Sequence, residues 1–215
     1  MMVDLASTPP AVAVEKAAAA LRDGGVVVVP TETVYGLAAL PSVPGATRRL
    51  FELKGRTADV PIAVLCADAT QALALADRPG PPVRQVAERY WPGPLTLVLR
   101  RRAGLGYELG EPASTVGVRC PDHPLVQALA AEVGPIATTS ANRHGEPTPP
   151  DAAGVDAVFA RAGGGVALVL DAGTCSGIPS TVIDATDDDP GRWRVLRQGA
   201  LHVPYPPGTS AGDAD

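Results

Sequence analysis

Short apolar runs alternate with longer amphipathic stretches along this chain of 215 residues, and a polar loop follows most of the apolar runs. The sharpest run is Val26–Val29, four valines between Gly24-Gly25 and Pro30. It predicts a short strand buried on both faces, because β-branched side chains pack well inside a sheet. Ahead of it, Ala11–Asp23 is alanine-rich and stops at glycine, as a helix does. Pro44–Lys54 places Leu50, Phe51 and Lys54 at helical spacing. Further strands are expected at Pro61–Cys66, Leu95–Leu99, Thr115–Arg119, Ile136–Thr139, Val166–Leu170, Ser180–Ala185 and Trp193–Leu196. Helices are expected from Asp68 to Ala76, over Val83–Tyr90, from His123 to Glu132 behind an Asp122 cap, and from Asp151 to Arg161.

Strands alternating with helices predict an α/β fold: a single domain over residues 11–203, built on a twisted, mixed and mostly parallel sheet flanked by helices. Antiparallel pairing is expected at Thr115–Arg119 and in the final pair of strands. Residues 1–10 are expected to be a flexible N-terminus. The tail over residues 204–215, PYPPGTSAGDAD, has no face to bury and is expected to be disordered. Hydrophobic residues make up 46% and charged residues 19%, which supplies a core and excludes wholesale disorder.

The net charge of −5 argues against binding nucleic acid with the whole surface, so any polyanion site has to be a local basic patch. Cys66, Cys120 and Cys175 are odd in number and widely spaced. They suggest neither a disulfide framework nor a CxxC zinc site, and fit a reducing cytoplasm. The first ten residues have no basic and apolar regions of a leader, and no apolar run reaches a membrane span, so a soluble, unprocessed protein is expected. Lys16 and Lys54 are the two lysines of a chain otherwise basic through arginine. The Arg100–Arg102 run reads as a solvated strand end.

Chemistry-bearing side chains gather where strands end. Thr31-Glu32-Thr33-Val34-Tyr35-Gly36 follows the valine strand, and by itself reads equally as a polar turn or as a site at the end of an open sheet. Elsewhere the loops hold Lys54, Arg56, Thr115, Arg119, Thr138, Ser140, Asn142, Thr148, Ser180 and Arg197. No nucleophile–base pair appears among them. His123, His144 and His202 lack HxxxH or HExxH spacing, which disfavours a zinc hydrolase. The set supplies hydroxyls and permanent cations, suited to a carboxylate or polyphosphate ligand. Neither GxxxxGK[ST] nor GxGxxG is present, so a nucleotide site would be neither P-loop nor Rossmann.

PTETVYGLAAL (Pro30–Leu40), FELKGR (Phe51–Arg56), YWPGPLTLVL (Tyr90–Leu99), TVGVRCPDHP (Thr115–Pro124), TTSAN (Thr138–Asn142), STVID (Ser180–Asp184) and VLRQGAL (Val195–Leu201) resemble, in order, the signatures of the YrdC-like family. The resemblance implies a twisted α/β sheet with a basic concave face, in the short form without an extra C-terminal domain. It implies L-threonylcarbamoyladenylate synthesis from L-threonine, bicarbonate and ATP, with release of pyrophosphate, and a product passed to a transferase that makes threonylcarbamoyladenosine in tRNA. Mg²⁺ is implied with the ATP. By matched motif, Thr33, Arg119, Thr138 and Ser180 would hold L-threonine. Arg56, Val60 (through its backbone), Thr115, Ser140, Asn142, Thr148 and Arg197 would hold ATP, with Lys54 and Arg56 as catalytic cations. The implied chemistry needs no protein nucleophile: the threonine amine takes up CO₂ or bicarbonate, and the new carboxylate attacks the α-phosphorus of ATP.

Three positions depart from the family's commoner pattern: Thr57 stands where proline often follows KGR, Leu65 where a histidine often lies, and His144 where a small residue precedes glycine. They keep open a nucleotide-binding paralogue that makes a different product. An RNA-binding module on the same basic face is the other alternative. It would show steep salt dependence and no ATP turnover, but the 4% aromatic content supplies little stacking platform.

Overall fold

The computed structural model describes residues 1–55, 57–161 and 163–204. Ten strands form one sheet in the order β1-β8-β2-β3-β7-β4-β6-β5-β9-β10. Along the chain these are β1 Met2–Asp4, β2 Val26–Val29, β3 Gly36–Ala39, β4 Ala63–Leu65, β5 Leu95–Arg100, β6 Thr115–Arg119, β7 Ile136–Ser140, β8 Val166–Asp171, β9 Thr181–Asp184 and β10 Arg194–Arg197. The helices are α1 Pro10–Arg22, α2 Ala46–Lys54, α3 Ala69–Leu73, α4 Pro81–Tyr90, α5 Pro124–Val133 and α6 Ala152–Arg161.

The expected α/β sheet is present, but it is not mostly parallel. Five pairings are antiparallel (β2–β3, β3–β7, β4–β7, β5–β6 and β9–β10), against four parallel (β1–β8, β2–β8, β4–β6 and β5–β9). The cause is local. Only Pro30–Tyr35 separates β2 from β3, too few residues for a parallel crossover, which needs about a dozen. β3 itself was not expected as a strand. Its Gly-Leu-Ala-Ala sequence has weak β preference, yet all four residues are buried between β2 and β7.

The N-terminus is a second correction. Met2–Asp4 pair in parallel with Val169–Asp171 of β8, and Val3 is buried against Leu168 and Leu170. Burying one valine and adding a ladder give this segment a place that composition does not advertise. Helix starts also differ. Asp68 caps α3 by accepting the Gln71 N–H at 2.8 Å, but that helix ends at Leu73. α5 begins after His123, with no side-chain cap from Asp122. Asp151 accepts the Gly154 N–H at 2.7 Å as α6 starts. Of the Pro204 tail, all but Pro204 lies outside the described residues.

Of the three arginines Arg100–Arg102 at the end of β5, Arg101 is not a solvated end. Its Nη2 donates to the Leu105 carbonyl at 2.5 Å and to the Tyr107 carbonyl, and burial lowers its pKa. Arg100 is exposed and pairs with Asp188 at 2.5 Å.

The valine strand shows how the layers are set. Val26 and Val28 enter one apolar cluster, with Leu50 and Phe51 of α2, Val83 and Val86 of α4, and Phe159 of α6. Val27 and Val29 enter the other, with Ala17 and Leu21 of α1 and Val126 and Leu129 of α5. The alternation of side chains across a strand sends successive valines to opposite faces. The pair α1 and α5 covers its face over β8 and β2. Farther along, over β4, β6, β5 and β9, the same face is open and forms a cleft. No described helix is long and apolar enough to cross a membrane.

Candidate active site

The cleft has a volume of about 330 Å³. Its floor is the sheet itself, read at every second residue: Ala63 and Leu65 of β4, Thr115, Gly117 and Arg119 of β6, Thr96 and Val98 of β5, Thr138 and Ser140 of β7, and Ser180 and Val182 at β9. The intervening residues Val64, Val116, Val118, Leu97 and Ala137 face the opposite core. In TVGVR, therefore, the same period of two that buries both valines delivers threonine, glycine and arginine to the open side. Arg119 and Arg197 are the charged residues among those described as lining the cleft.

Arg119 is the centre of one cluster. Its side chain is 7% exposed and lies 2.7 Å from Glu32 Oε2. Its Nη2 donates to Thr33 Oγ1 at 3.1 Å and its Nε to the Gly93 carbonyl at 3.2 Å. Thr33 is held in turn by the loop that connects β2 to β3. Thr31 Oγ1 lies 2.8 Å from Thr33 Oγ1, donates to the Val34 carbonyl at 2.7 Å, and accepts the Thr33 and Val34 N–H groups. The Pro30–Gly36 segment is thus a self-bonded turn and also part of the cluster, so the two readings of it were not exclusive.

Across the floor, Ser180 Oγ lies 2.9 Å from Thr96 Oγ1 and accepts from Arg197 Nη2 at 3.0 Å, while the Ser180 carbonyl accepts from Arg197 Nε and Nη2. Burial of its head group, and then the neighbouring Arg119 cation, lower the Arg197 pKa. Two guanidinium groups that repel each other across a cleft are relieved by an anion between them. Thr138 Oγ1 donates to the Leu37 carbonyl at 3.0 Å and faces Gly36, where an added Cβ would lie 2.8 Å from that hydroxyl.

The second cluster lies under the loop after β7. Lys54 is 4% exposed. Its Nζ donates to the Ser140 carbonyl at 2.7 Å, to Ser140 Oγ at 2.9 Å and to Asn142 Oδ1 at 2.5 Å. Asn142 Oδ1 also accepts from Thr148 Oγ1 at 3.1 Å. These contacts bring together Lys54, Ser140, Asn142 and Thr148, of which Ser140 alone lines the cleft. Lys54 supports the loop from beneath instead of standing in the open as a cation. Val60 and Thr115 line the cleft, and Val60 is 42% exposed. Arg56 lies outside the described residues.

Sequence reasoning missed Thr96, buried and hydrogen-bonded to Ser180. The signal was available: it is the one polar residue in Leu95–Leu99, where an apolar residue would otherwise be expected. Glu32 was noticed there without a role.

An open α/β sheet whose face carries hydroxyls and two arginines is a site for a small anionic or zwitterionic ligand. The chain belongs to the Sua5/YciO/YrdC family, whose model, described as telomere recombination, matches residues 19–199. It is 40% identical over 204 residues to a threonylcarbamoyl-AMP synthase of Bacillus subtilis, covering 92% of this chain and 56% of that one. It is 36% identical over 191 residues to a putative threonylcarbamoyl-AMP synthase of Mycobacterium leprae, covering 88% and 84%. Among solved structures, Sua5 of P. abyssi complexed with L-threonine superposes with a TM-score of 0.84 at 35% identity, over 94% of this chain and 58% of that one. The chain therefore spans little more than half the length of two of these relatives.

Proposed function

We propose that this protein makes L-threonylcarbamoyladenylate and pyrophosphate from L-threonine, bicarbonate and ATP. The observation that carries the reading is the Arg119 cluster: a nearly buried guanidinium on the cleft floor, tied to Thr33, with the bonded pair Ser180 and Arg197 lining the same cleft. A fixed arginine fork suits a carboxylate, and the surrounding hydroxyls of Thr33, Thr138 and Ser180 suit the polar side chain of threonine. The names of the relatives and the L-threonine complex of Sua5 support the same reading.

On this reading the Ser140–Thr148 loop, Thr115, the Val60 backbone, Arg56 and Arg197 receive ATP. Arg197 offsets phosphate charge, and Lys54 holds the loop in shape. The neutral threonine amine attacks CO₂ and gives up a proton, or attacks bicarbonate with loss of water, to give an N-carboxylate, whose oxygen displaces pyrophosphate from the α-phosphorus. Positioning and charge stabilisation are the protein's contribution, and orienting reactants can supply on the order of 7–11 kcal/mol. Mg²⁺ arrives as the ATP complex. Substrate phosphate oxygens and water supply most of the ligands of such an ion. The product is a mixed anhydride that needs an acceptor, which makes a tRNA threonylcarbamoyl transferase the natural partner.

Incubation with L-threonine, bicarbonate, Mg²⁺ and ATP, followed by pyrophosphate assay and mass spectrometry, tests the proposal. Threonine-dependent pyrophosphate and the carbamoyl-adenylate mass are expected, with turnover abolished in Arg56→Ala and Arg197→Ala. Absence of a threonine-dependent product refutes it. Normal activity in both variants refutes the phosphate assignments.

A further inference from the structure

Glu32 has no role in the reading above, and its surroundings are unusual. Both carboxylate oxygens are buried and neither receives an aligned hydrogen bond from the described residues, although Oε2 lies 2.7 Å from Arg119 Nη2. The contact is an ion pair by charge and distance. His123 and Cys175 are further titratable groups that sense this carboxylate. Burial holds the His123 imidazole toward its neutral form despite Glu32, and burial raises the Cys175 thiol. Neither supplies a cation. Arg119's remaining acceptors are neutral and more distant, the Gly93 carbonyl at 3.2 Å and Thr33 Oγ1 at 3.1 Å.

We propose that Glu32 is a positioning residue for amino-acid recognition: its buried charge fixes the Arg119 guanidinium so that the N–H groups left over point into the cleft for the substrate carboxylate. The inference rests on the reading of Arg119 as the threonine clamp. Two effects oppose each other. Glu32 partly neutralises Arg119, which weakens its pull on an anion, but it also holds a long side chain in one orientation. Recognition of a carboxylate by the remaining N–H groups depends on that orientation, and a guanidinium free to turn has to be ordered again each time substrate binds. The Glu32 side chain is 22% exposed but both its carboxylate oxygens are buried, so it acts through Arg119 and not on the substrate.

The test is calorimetric titration of the full chain with L-threonine and, separately, with ATP, alongside steady-state pyrophosphate release, for wild type, Glu32→Gln, Glu32→Ala and Glu32→Asp. Loss of preorganisation should weaken L-threonine binding, and raise its KM, on the order of tenfold in Glu32→Gln and Glu32→Ala. ATP binding, and kcat at saturating threonine, should stay unchanged. Glu32→Asp should recover part of the loss. Threonine affinity in Glu32→Gln equal to or tighter than wild type overturns the proposal. So does a parallel loss of ATP binding, which would mark a merely structural role. A wild-type chain that binds ATP but not threonine overturns the threonine-clamp reading itself, and the inference with it.

Discussion

Replacing Lys54 with methionine removes a buried ammonium while keeping most of the side-chain length. Three oxygens lose a donor: the Ser140 carbonyl at 2.7 Å, Ser140 Oγ at 2.9 Å and Asn142 Oδ1 at 2.5 Å. Asn142 Oδ1 keeps the Thr148 hydroxyl and the Ser140 carbonyl keeps the Asn142 N–H at 2.9 Å, so Ser140 Oγ is the acceptor left short. At ~1–3 kcal/mol for a buried group left unsatisfied, the loss is about 1–3 kcal/mol, reduced by no longer having to bury an ammonium. A working value of roughly 2 kcal/mol lowers Tm by about 4–8 °C for a domain of this size. Thermal unfolding by circular dichroism reads this directly. The same change loosens Ser140, Asn142 and Thr148 together, so KM for ATP should rise well before KM for L-threonine. A Tm within about 2 °C of wild type, with both KM values unchanged, would show that Lys54 does not set the loop.

Gly36→Ala puts a Cβ 2.8 Å from Thr138 Oγ1; it should push that hydroxyl aside, cost ~1–3 kcal/mol by overpacking and raise KM for L-threonine more than for ATP, and unchanged threonine kinetics would refute it. Thr96→Val keeps the side-chain shape but removes the 2.9 Å contact with Ser180 Oγ; threonine binding should weaken severalfold, and calorimetric titration checks this. Burial pushes the Tyr35 phenol up to about 12. Its folded pKa therefore lies above the unfolded value of about 10. The associated stability is complete below about pH 10 and is lost as pH rises toward 12. Ultraviolet difference titration should find Tyr35 ionising late, with partly buried Tyr107 also raised above the ordinary phenol, and ionisation of every tyrosine near pH 10 would refute this. Tyr35→Phe should show a flatter alkaline decline but lower stability at neutral pH, because the Gly173 carbonyl and the Ala172 N–H lose their partner.

Much of the site was legible because strand periodicity is written in local sequence. Thr115–Arg119 alternates valine with threonine, glycine and arginine, and that alternation alone determines that one face is apolar and the other chemical. The four valines Val26–Val29 likewise announce a strand buried twice over, and Thr138 and Ser140 are two residues apart on a strand that ends in a polar loop. The glycine stop after α1 and the Asp68 cap are local signals of the same kind.

Other features depend on partners distant in the chain. Gly36–Ala39 is a central strand because β2 and β7 flank it, although its residues have little intrinsic preference for one. Met2–Asp4 is ordered by β8, more than 160 positions away in sequence. Arg101 is drawn inward by the carbonyls of Leu105 and Tyr107, and charge alone pointed it outward. The arrival of Lys54 beneath Ser140 and Asn142, and of Glu32 against Arg119, likewise has no local signature. By itself, the sequence determined which residues alternate, local boundaries such as the glycine stop after α1 and the Asp68 cap, and which side chains carry chemistry, because these follow from backbone periodicity and neighbours a few positions apart. Strand order, the open half of the sheet face and the pairing of each charge were decided only by the tertiary structure, since burial and Coulomb energy depend on distances in space.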